Sequence, residues 1–331
     1  MRLHHSLLPL FTLITTACSG FGNAPYQKCE GSVWATTYHI TYRSHRPLDD
    51  SIIHVMRQVE MSLSPFTDSS TVSRINNGVS VSTDTLFRRI FLASKEVNKL
   101  SHGAFDPTVA PLVNLWGFGY RNTGIPPTDA MIDSALTLVG IDRCHIIADT
   151  IVRPTPHTEF NFSAITKGYG CDLIGEMLRR NGCTDYMVEI GGEMAVSGAN
   201  PRGDRWHVMV DAPIESDTSV IHSRMAVIAI TDVGVATSGN YRNFRQEEHG
   251  KVWHTIDPVT GRPAHPHILS ATVVAPSAML ADALATACMA MPLDQAVDMI
   301  ERTPAAAAMF VQPADSTYRI TRTSRFPELL P

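Results

Sequence analysis

Asn161 to Gly198 reads NFSAITKGYGCDLIGEMLRRNGCTDYMVEIGGEMAVSG. The first half predicts a helix. Ile165, Leu173, Ile174, Met177 and Leu178 supply its apolar face, Ser163 or the residues just before it a cap, and Gly182 a stop. The second half, from Tyr186, predicts two strand pieces broken at Gly191-Gly192, glycines that permit a bulge or the close approach of a ligand. A helix followed by two strands in succession does not fit the strand–helix alternation of a doubly wound sheet. The expected class is α+β, with mixed or antiparallel sheets and packed helices in one large domain.

Working outward, the segments before and after mix in the same way. Val33–Arg43 (VWATTYHITYR) is rich in β-branched and aromatic residues and predicts a strand. Ile52, Met56, Val59 and Leu63 predict a helix, with Asp49, Asp50 and Ser51 offering caps. SPFTDSSTVSRINN reads as a polar loop. Asp84 opens a helix with Leu86, Ile90, Ala93, Val97 and Leu100 on one face and Gly103 beyond its end. GAFDPTVAPLVNLWGFGY is apolar but interrupted by proline and glycine, so it is no single regular element; it reads equally as pocket lining or as a packed loop. Trp206–Asp211 and Met225–Thr231 predict strands, and VATSGNYRNF, from Val235, a turn. Leu269–Ala275 predicts a strand, Pro276 stands at a helix start, and Ala305–Gln312 predicts a closing strand.

Composition excludes some functions. The chain is 44% hydrophobic and 18% charged, with a net charge of -5, so it carries no basic footprint for nucleic acid. GxSxG, P-loop, GxGxxG and HExxH patterns are absent. Residues 1–17 have the layout of a secretory signal: Arg2, an apolar run from Leu7 to Ile14, then small residues. Thr15-Thr16-Ala17-Cys18 resembles a bacterial lipobox, with Thr15 where Leu is usual; a plain secretory signal cut near Ala17 is the alternative. A lipidated Cys18 would tether the protein to the outer face of a membrane, with residues 18–30 as the tether and the domain from Gly31. The five cysteines beyond Cys18 show neither CxxC nor metal spacing; an exported protein permits a disulfide, and burial as small apolar residues is the other reading.

The chemistry concentrates in Trp253–Thr286. Asp282 and Thr286 lie four apart, on one helix face, and a carboxylate with a hydroxyl suits Mg2+. By spacing alone, an exposed acid and a back-bonding threonine explain the pair better. His254 precedes an Asp257-Pro258 turn and is the natural general base near neutral pH, but it is one histidine of 14. Lys167, near a helix N-terminus, suits an anion such as a diphosphate, although a solvated lysine is the commoner case.

Eight segments taken together resemble one family. TTYHITY, SRIN, GAFDPTVAPLVNLWGFG, NFSAITKGYGCD, VEIGGE, ATSGNYRNF, HTIDPVTGRP and APSAMLADALATA stand in the order found in the ApbE-type flavin transferases, from about Gly31 to about Met291. The resemblance implies an enzyme that binds FAD and Mg2+, moves FMN onto a Ser or Thr hydroxyl of a target protein and releases AMP. Its targets carry an Asp-x-x-Ser/Thr-Gly-Ala-Thr/Ser motif on outward-facing subunits of membrane redox complexes. It implies a metal site of the Ala164 backbone carbonyl, Asp282 and Thr286. It implies FAD contacts at Ala104, Phe105, Asp106, Asn161, Lys167 and Ile256, with His254 as base and Lys167 as a charge stabiliser. Four positions depart from the family pattern: Trp34-Ala35 replaces Met-Gly before Thr36, Phe66 stands where Tyr is common, and Asn161 where Asp is frequent. Trp34 and Phe66 keep aromatic surface for a flavin or adenine ring. The competing expectations are a FAD pyrophosphatase releasing free FMN and a flavin-binding lipoprotein without turnover.

Overall fold

The structure is a computed structural model that describes residues 24–79, 81–121, 126–214, 223–239, 244–247, 250–264, 267–314 and 317–330. The expected signal peptide and Cys18 lie outside the described residues.

The chain enters on an antiparallel hairpin of β1 (Tyr26–Val33) and β2 (Thr36–Arg43). Within the stretch 18–30, Tyr26 is already in the sheet, its hydroxyl donating to the Ala199 carbonyl at 2.7 Å. The strand expected to start at Val33 instead turns back there: Trp34 and Ala35 take φ of 49° and 60°, the left-handed pair that a two-residue hairpin loop requires.

Helix α1 (Asp49–Leu63) buries Ile52, Met56, Val59 and Leu63 as expected, but Asp49 and Asp50 sit inside its first turn rather than capping it. There they face the positive end of the helix dipole. The expected polar loop contains α2 (Thr71–Asn76), capped by Ser70. Helix α3 (Thr85–Leu100) is capped by Asp84, whose side chain accepts from the Phe87 N–H. Its buried face is turned from the expected one, onto Phe87, Ile90, Phe91, Ser94 and Val97, and Leu100 is exposed. The cause is aromatic: Phe87 packs edge-on against Phe160 and Phe162 at 5.8 and 5.5 Å. After a 3-10 turn at Pro107–Val109 come α4 (Ala110–Leu115), α5 (Asp129–Leu136) and a small hairpin of β3 (His145–Ile147) and β4 (Thr150–Val152).

Helix α6 (Ser163–Arg180) and the hairpin of β5 (Tyr186–Ile190) and β6 (Glu193–Ser197) follow the sequence expectation closely. Next are β7 (Trp206–Asp211), β8 (Arg224–Ile230), β9 (Val233–Gly239), β10 (Phe244–Glu247), β11 (Gly250–Trp253), β12 (Ser270–Ala275), α7 (Ala278–Met289), α8 (Leu293–Arg302), β13 (Ala307–Ala314), β14 (Thr317–Arg322) and β15 (Leu329–Leu330). The turn expected from Val235 is strand as far as Gly239, because β9 is held between β6 and β12. Asn240–Asn243 lie outside the described residues. The expected closing strand is not the last: β14 pairs with it and β15 with β8.

Eight strands form the main sheet in the order β1-β2-β5-β6-β9-β12-β13-β14, and every described pairing is antiparallel. The α+β class holds. Helices α1, α3, α6 and α7 share the main core with one face of this sheet, through Ile40, Val188 and Ile190. The three-stranded sheet β15-β8-β7 shares a second core with the other face, through Val196, Val235, Val274 and Met309. A third cluster joins Leu112, Ile132 and Ile256. Strand β12, SATVVA, is buried at all six positions and covered on both faces, with Ser270 and Thr272 buried among its apolar residues.

Candidate functional site

The site is built where α6 meets α7. Their backbones touch at Gly168: a Cβ there would lie 2.2 Å from the Ala278 carbonyl oxygen and 2.9 Å from the Asp282 Cβ. The small residues Ala281, Ala285 and Ala278 of α7 are fully buried, which permits the approach. At the crossing the Gly168 N–H donates to Asp282 Oδ2 at 3.0 Å. In an α-helix the carbonyl four residues before Gly168 is that of Ala164. Regular helical pairing would direct the same N–H that Asp282 accepts from at the Ala164 carbonyl.

Lys167 completes the arrangement. Its Nζ stands 3.1 Å from Glu193 Oε1 and 4.0 Å from Asp282 Oδ2. Burial works against the ammonium, but the two carboxylates outweigh it and hold the Lys167 pKa above its ordinary value. Burial likewise pushes the Glu193 and Asp282 carboxyls up, with Lys167 opposing. Glu193 is 5% exposed and its Oε2 is buried with no partner among the described residues. Two buried acids thus share one lysine, and an acceptor oxygen is left over. Thr286, one turn along α7, has its hydroxyl 3.3 Å from Ser238 Oγ on β9, and Thr237 pairs with Thr272 beside it at 2.9 Å.

These groups fit a hard cation. Among the described residues no three His, Cys, Asp or Glu side chains converge on a metal position. A cation here would draw on a carboxylate, a hydroxyl and a backbone carbonyl, the oxygen donors Mg2+ prefers. The surplus of buried negative charge gives it a reason to bind.

Trp34 reaches the same helix from the β1–β2 turn. A Cβ at Gly170 would lie 2.7 Å from its Cη2, and its Nε1 is buried with no partner among the described residues. Gly191, at the β5–β6 turn, lies against Thr36 and the Lys167 stem. The two hairpin turns and the first turns of α6 therefore share one corner.

The second wall is the GAFDP segment. Ala104, Phe105 and Asp106 are all buried. The Asp106 carboxylate accepts from the Thr108 N–H (2.8 Å), the Thr108 hydroxyl (2.6 Å), the Ile141 N–H (3.0 Å) and Asn98 Nδ2 (3.2 Å). Burial raises its pKa and these donors oppose the rise. Its side chain is thus committed to the fold, and its carbonyl also accepts from the Val109 N–H at 3.2 Å. Asn161 ties this wall to α6. Its N–H donates to the Pro107 carbonyl at 2.7 Å and its Oδ1 accepts from the Ser163 N–H at 2.9 Å. An amide serves that second bond as well as a carboxylate does.

The HTIDP turn closes against the GAFDP segment. A Cβ at Gly103 would meet Val259 Cγ2 at 3.5 Å, and Trp116 Nε1 donates to the Gly261 carbonyl at 2.8 Å. Ile256 is buried and bridges to Pro263. His254 is half-buried at the junction of β11 and this turn. Phe66 is 70% exposed, its ring edge-on to Tyr120 at 6.1 Å. Tyr120 in turn donates to Glu159 Oε2 at 2.6 Å, just before Asn161. Sequence reasoning missed Glu193 and Tyr120. The available signals were the acid directly after the Gly-Gly turn and the tyrosine closing GFGY.

Comparison with known proteins finds relatives along most of the chain. The ApbE family model matches residues 34–310. The FAD:protein FMN transferase of Vibrio cholerae is 33% identical over 312 residues, covering 91% of each chain. That of Haemophilus influenzae is 30% identical over 315 residues, covering 90% of each. Among solved structures, the flavin transferase ApbE from Vibrio cholerae superposes with a TM-score of 0.79 at 30% identity, over 91% of this chain and 98% of that one. The apo flavinyl transferase ApbE of Pseudomonas stutzeri gives 0.81 at 28% identity, over 92% and 96%. With a family match over most of its length and a relative one-third identical along nine-tenths of both chains, this chain belongs to the ApbE family and is a transferase.

Proposed function

We propose that the protein transfers FMN from FAD to a Ser or Thr hydroxyl of a target protein, in a Mg2+-dependent reaction that releases AMP. The observation that carries the reading is the α6–α7 junction, where the buried carboxylates of Asp282 and Glu193 share Lys167 and Asp282 accepts from the Gly168 N–H, one helical turn after Ala164. The names of the relatives supply flavin transfer; the oxygen donors supply the cation.

Ala164, Asp282 and Thr286 would hold the ion. A magnesium ion there would neutralise diphosphate charge and polarise the phosphorus on the FMN side. Lys167 would stabilise charge developing on the phosphate oxygens. His254 would take the proton of the target hydroxyl as its oxygen bonds to that phosphorus. The bond from phosphorus to the bridging oxygen breaks, and AMP leaves with that oxygen. Trp34 and Phe66 offer aromatic surface for the rings of FAD, and the backbones of Ala104, Phe105 and Asp106, with Asn161 and Ile256, line the other wall.

The export signal and Cys18 support a membrane-anchored enzyme facing outward, where subunits of redox complexes bearing an Asp-x-x-Ser/Thr-Gly-Ala-Thr/Ser motif would be its targets. The test is incubation with FAD, Mg2+ and a peptide carrying that motif, followed by mass spectrometry. An FMN adduct on the peptide is expected. Free FMN and AMP without an adduct would make the protein a pyrophosphatase, and intact FAD would leave binding alone.

A further inference from the structure

Helix α7 carries both side chains of the cation site, and its larger buried side chains, Leu284, Cys288 and Met289, all lie beyond Asp282. Ala281, Ala283, Ala285 and Ala287 are fully buried. An alanine surface offers few knobs. Two polar pins hold it to α6. One is the bond from the Gly168 N–H to Asp282, which engages the proposed ligand itself. The other lies one turn further along α6. Asp172 accepts from the Ala278 N–H through Oδ1 and from the Met279 N–H through Oδ2, each at 2.9 Å.

This second pin is a two-oxygen grip on the first N–H groups of α7, groups that have no partner inside the helix. The Ser277 side chain takes the next, from Leu280 at 3.2 Å, and the Ser277 carbonyl takes that of Ala281. Behind them β9 presses close: a Cβ at Gly234 would lie 2.0 Å from the Ala278 nitrogen. The start of α7 is thereby held from α6 and from the sheet.

Resting on the cation-site reading above, we propose that Asp172 is a positioning residue, which sets the axial register of α7 so that Asp282 and Thr286 present their oxygens to Mg2+ together. The tolerance makes this consequential. A slip of one residue moves a helix by about 1.5 Å, whereas metal–oxygen distances hold to about 0.2 Å. Glu176, one turn beyond Asp172 on α6, serves as the control. Its carboxylate pairs with Arg89 at 2.6 Å, and it lines a surface cleft together with Asp172.

The experiment compares wild type, Asp172→Ala, Asp172→Asn and Glu176→Gln. Mn2+ binding is followed by electron paramagnetic resonance and Mg2+-dependent FAD binding by flavin fluorescence, with thermal unfolding alongside. Asp172→Ala is expected to raise the half-saturating metal concentration by ~10–100-fold. Asp172→Asn, which keeps one acceptor, should fall between, and Glu176→Gln should titrate as wild type does. FAD binding should return when Mg2+ saturates. A merely structural role would lower the unfolding temperature and leave the metal midpoint in place, and that result overturns the proposal. If Asp172→Ala does not fold, Asp172→Asn decides by the same criterion. Wild-type protein without metal dependence would overturn the cation-site reading and this proposal together, whereas a metal-dependent wild type with unshifted variants overturns only the role of Asp172.

Discussion

Lys167 stands between two carboxylates that are almost wholly withdrawn from water, 3.1 Å from Glu193 and 4.0 Å from Asp282. One cation against two buried acids leaves a deficit that protonation or a further cation must fill. Asp282 was legible from its spacing to Thr286, but spacing alone favoured an exposed acid; its burial and its bond to Gly168 remove that alternative. Glu193 was not legible, because its position after two glycines reads as a hairpin turn. Asp106 is the converse case, a motif residue whose carboxylate four protein donors already occupy. His254 remains the base of the proposed reaction. Replacing it with alanine should slow FMN transfer by ~10²–10⁴-fold, while FAD binding, followed by flavin fluorescence, stays near wild type. A His254→Ala variant that transfers at the wild-type rate would exclude that role.

At the scale of elements, the α6–α7 contact decides whether the site exists. Gly168→Ala sets two effects against each other. Alanine improves intrinsic helix propensity by about 1 kcal/mol. Its Cβ would meet the backbone oxygen of Ala278 at 2.2 Å, and neither helix backbone can yield cheaply. Overpacking of that kind costs roughly 1–3 kcal/mol or more, so the variant should unfold at lower denaturant concentration; an unchanged or higher midpoint would contradict the close contact. Helices α6 and α7 were readable because long apolar periodicity and capping residues mark them. Other elements lacked such marks. The Trp34-Ala35 turn carries neither Gly nor Asn, so a run of β-formers concealed it. Helix α2 is six residues, too short to show a period. Strand β9 looked like a turn from its hydroxyls and glycine, and became a strand through pairing with β6 and β12.

Across the whole molecule, the eight-stranded sheet is sealed on one face by helices and on the other by a second sheet, and the cysteines follow from that enclosure. Cys29, Cys144, Cys171, Cys183 and Cys288 are all buried and unbridged. Of the two readings the sequence allowed, the small-apolar one holds for these five. Burial pushes the Cys29 thiol up to about 11 and Cys144 up to about 12, and raises the other three. Because the thiolate is the reactive form, these five should resist alkylation in the native protein at pH 8 and react fully in denaturant, as counted by mass spectrometry. Fast native labelling of any of them would contradict the packing. The α+β class was legible from the order of helix and strands around Gly191-Gly192, but the sheet order was not, since pairings such as β6 with β9 depend on contacts far apart in the chain.

In the proposed reaction a cation held at the α6–α7 junction drives transfer of FMN to a protein hydroxyl. The most direct test is the mass of a motif-bearing peptide after incubation with FAD over a series of Mg2+ concentrations, for wild type and Asp282→Ala. The prediction is an FMN adduct that rises with Mg2+ in the wild type, is abolished by a chelator, and in Asp282→Ala is lost or shifted to far higher Mg2+. No adduct from the wild type at any Mg2+ concentration, or identical Mg2+ curves for the two proteins, would contradict it.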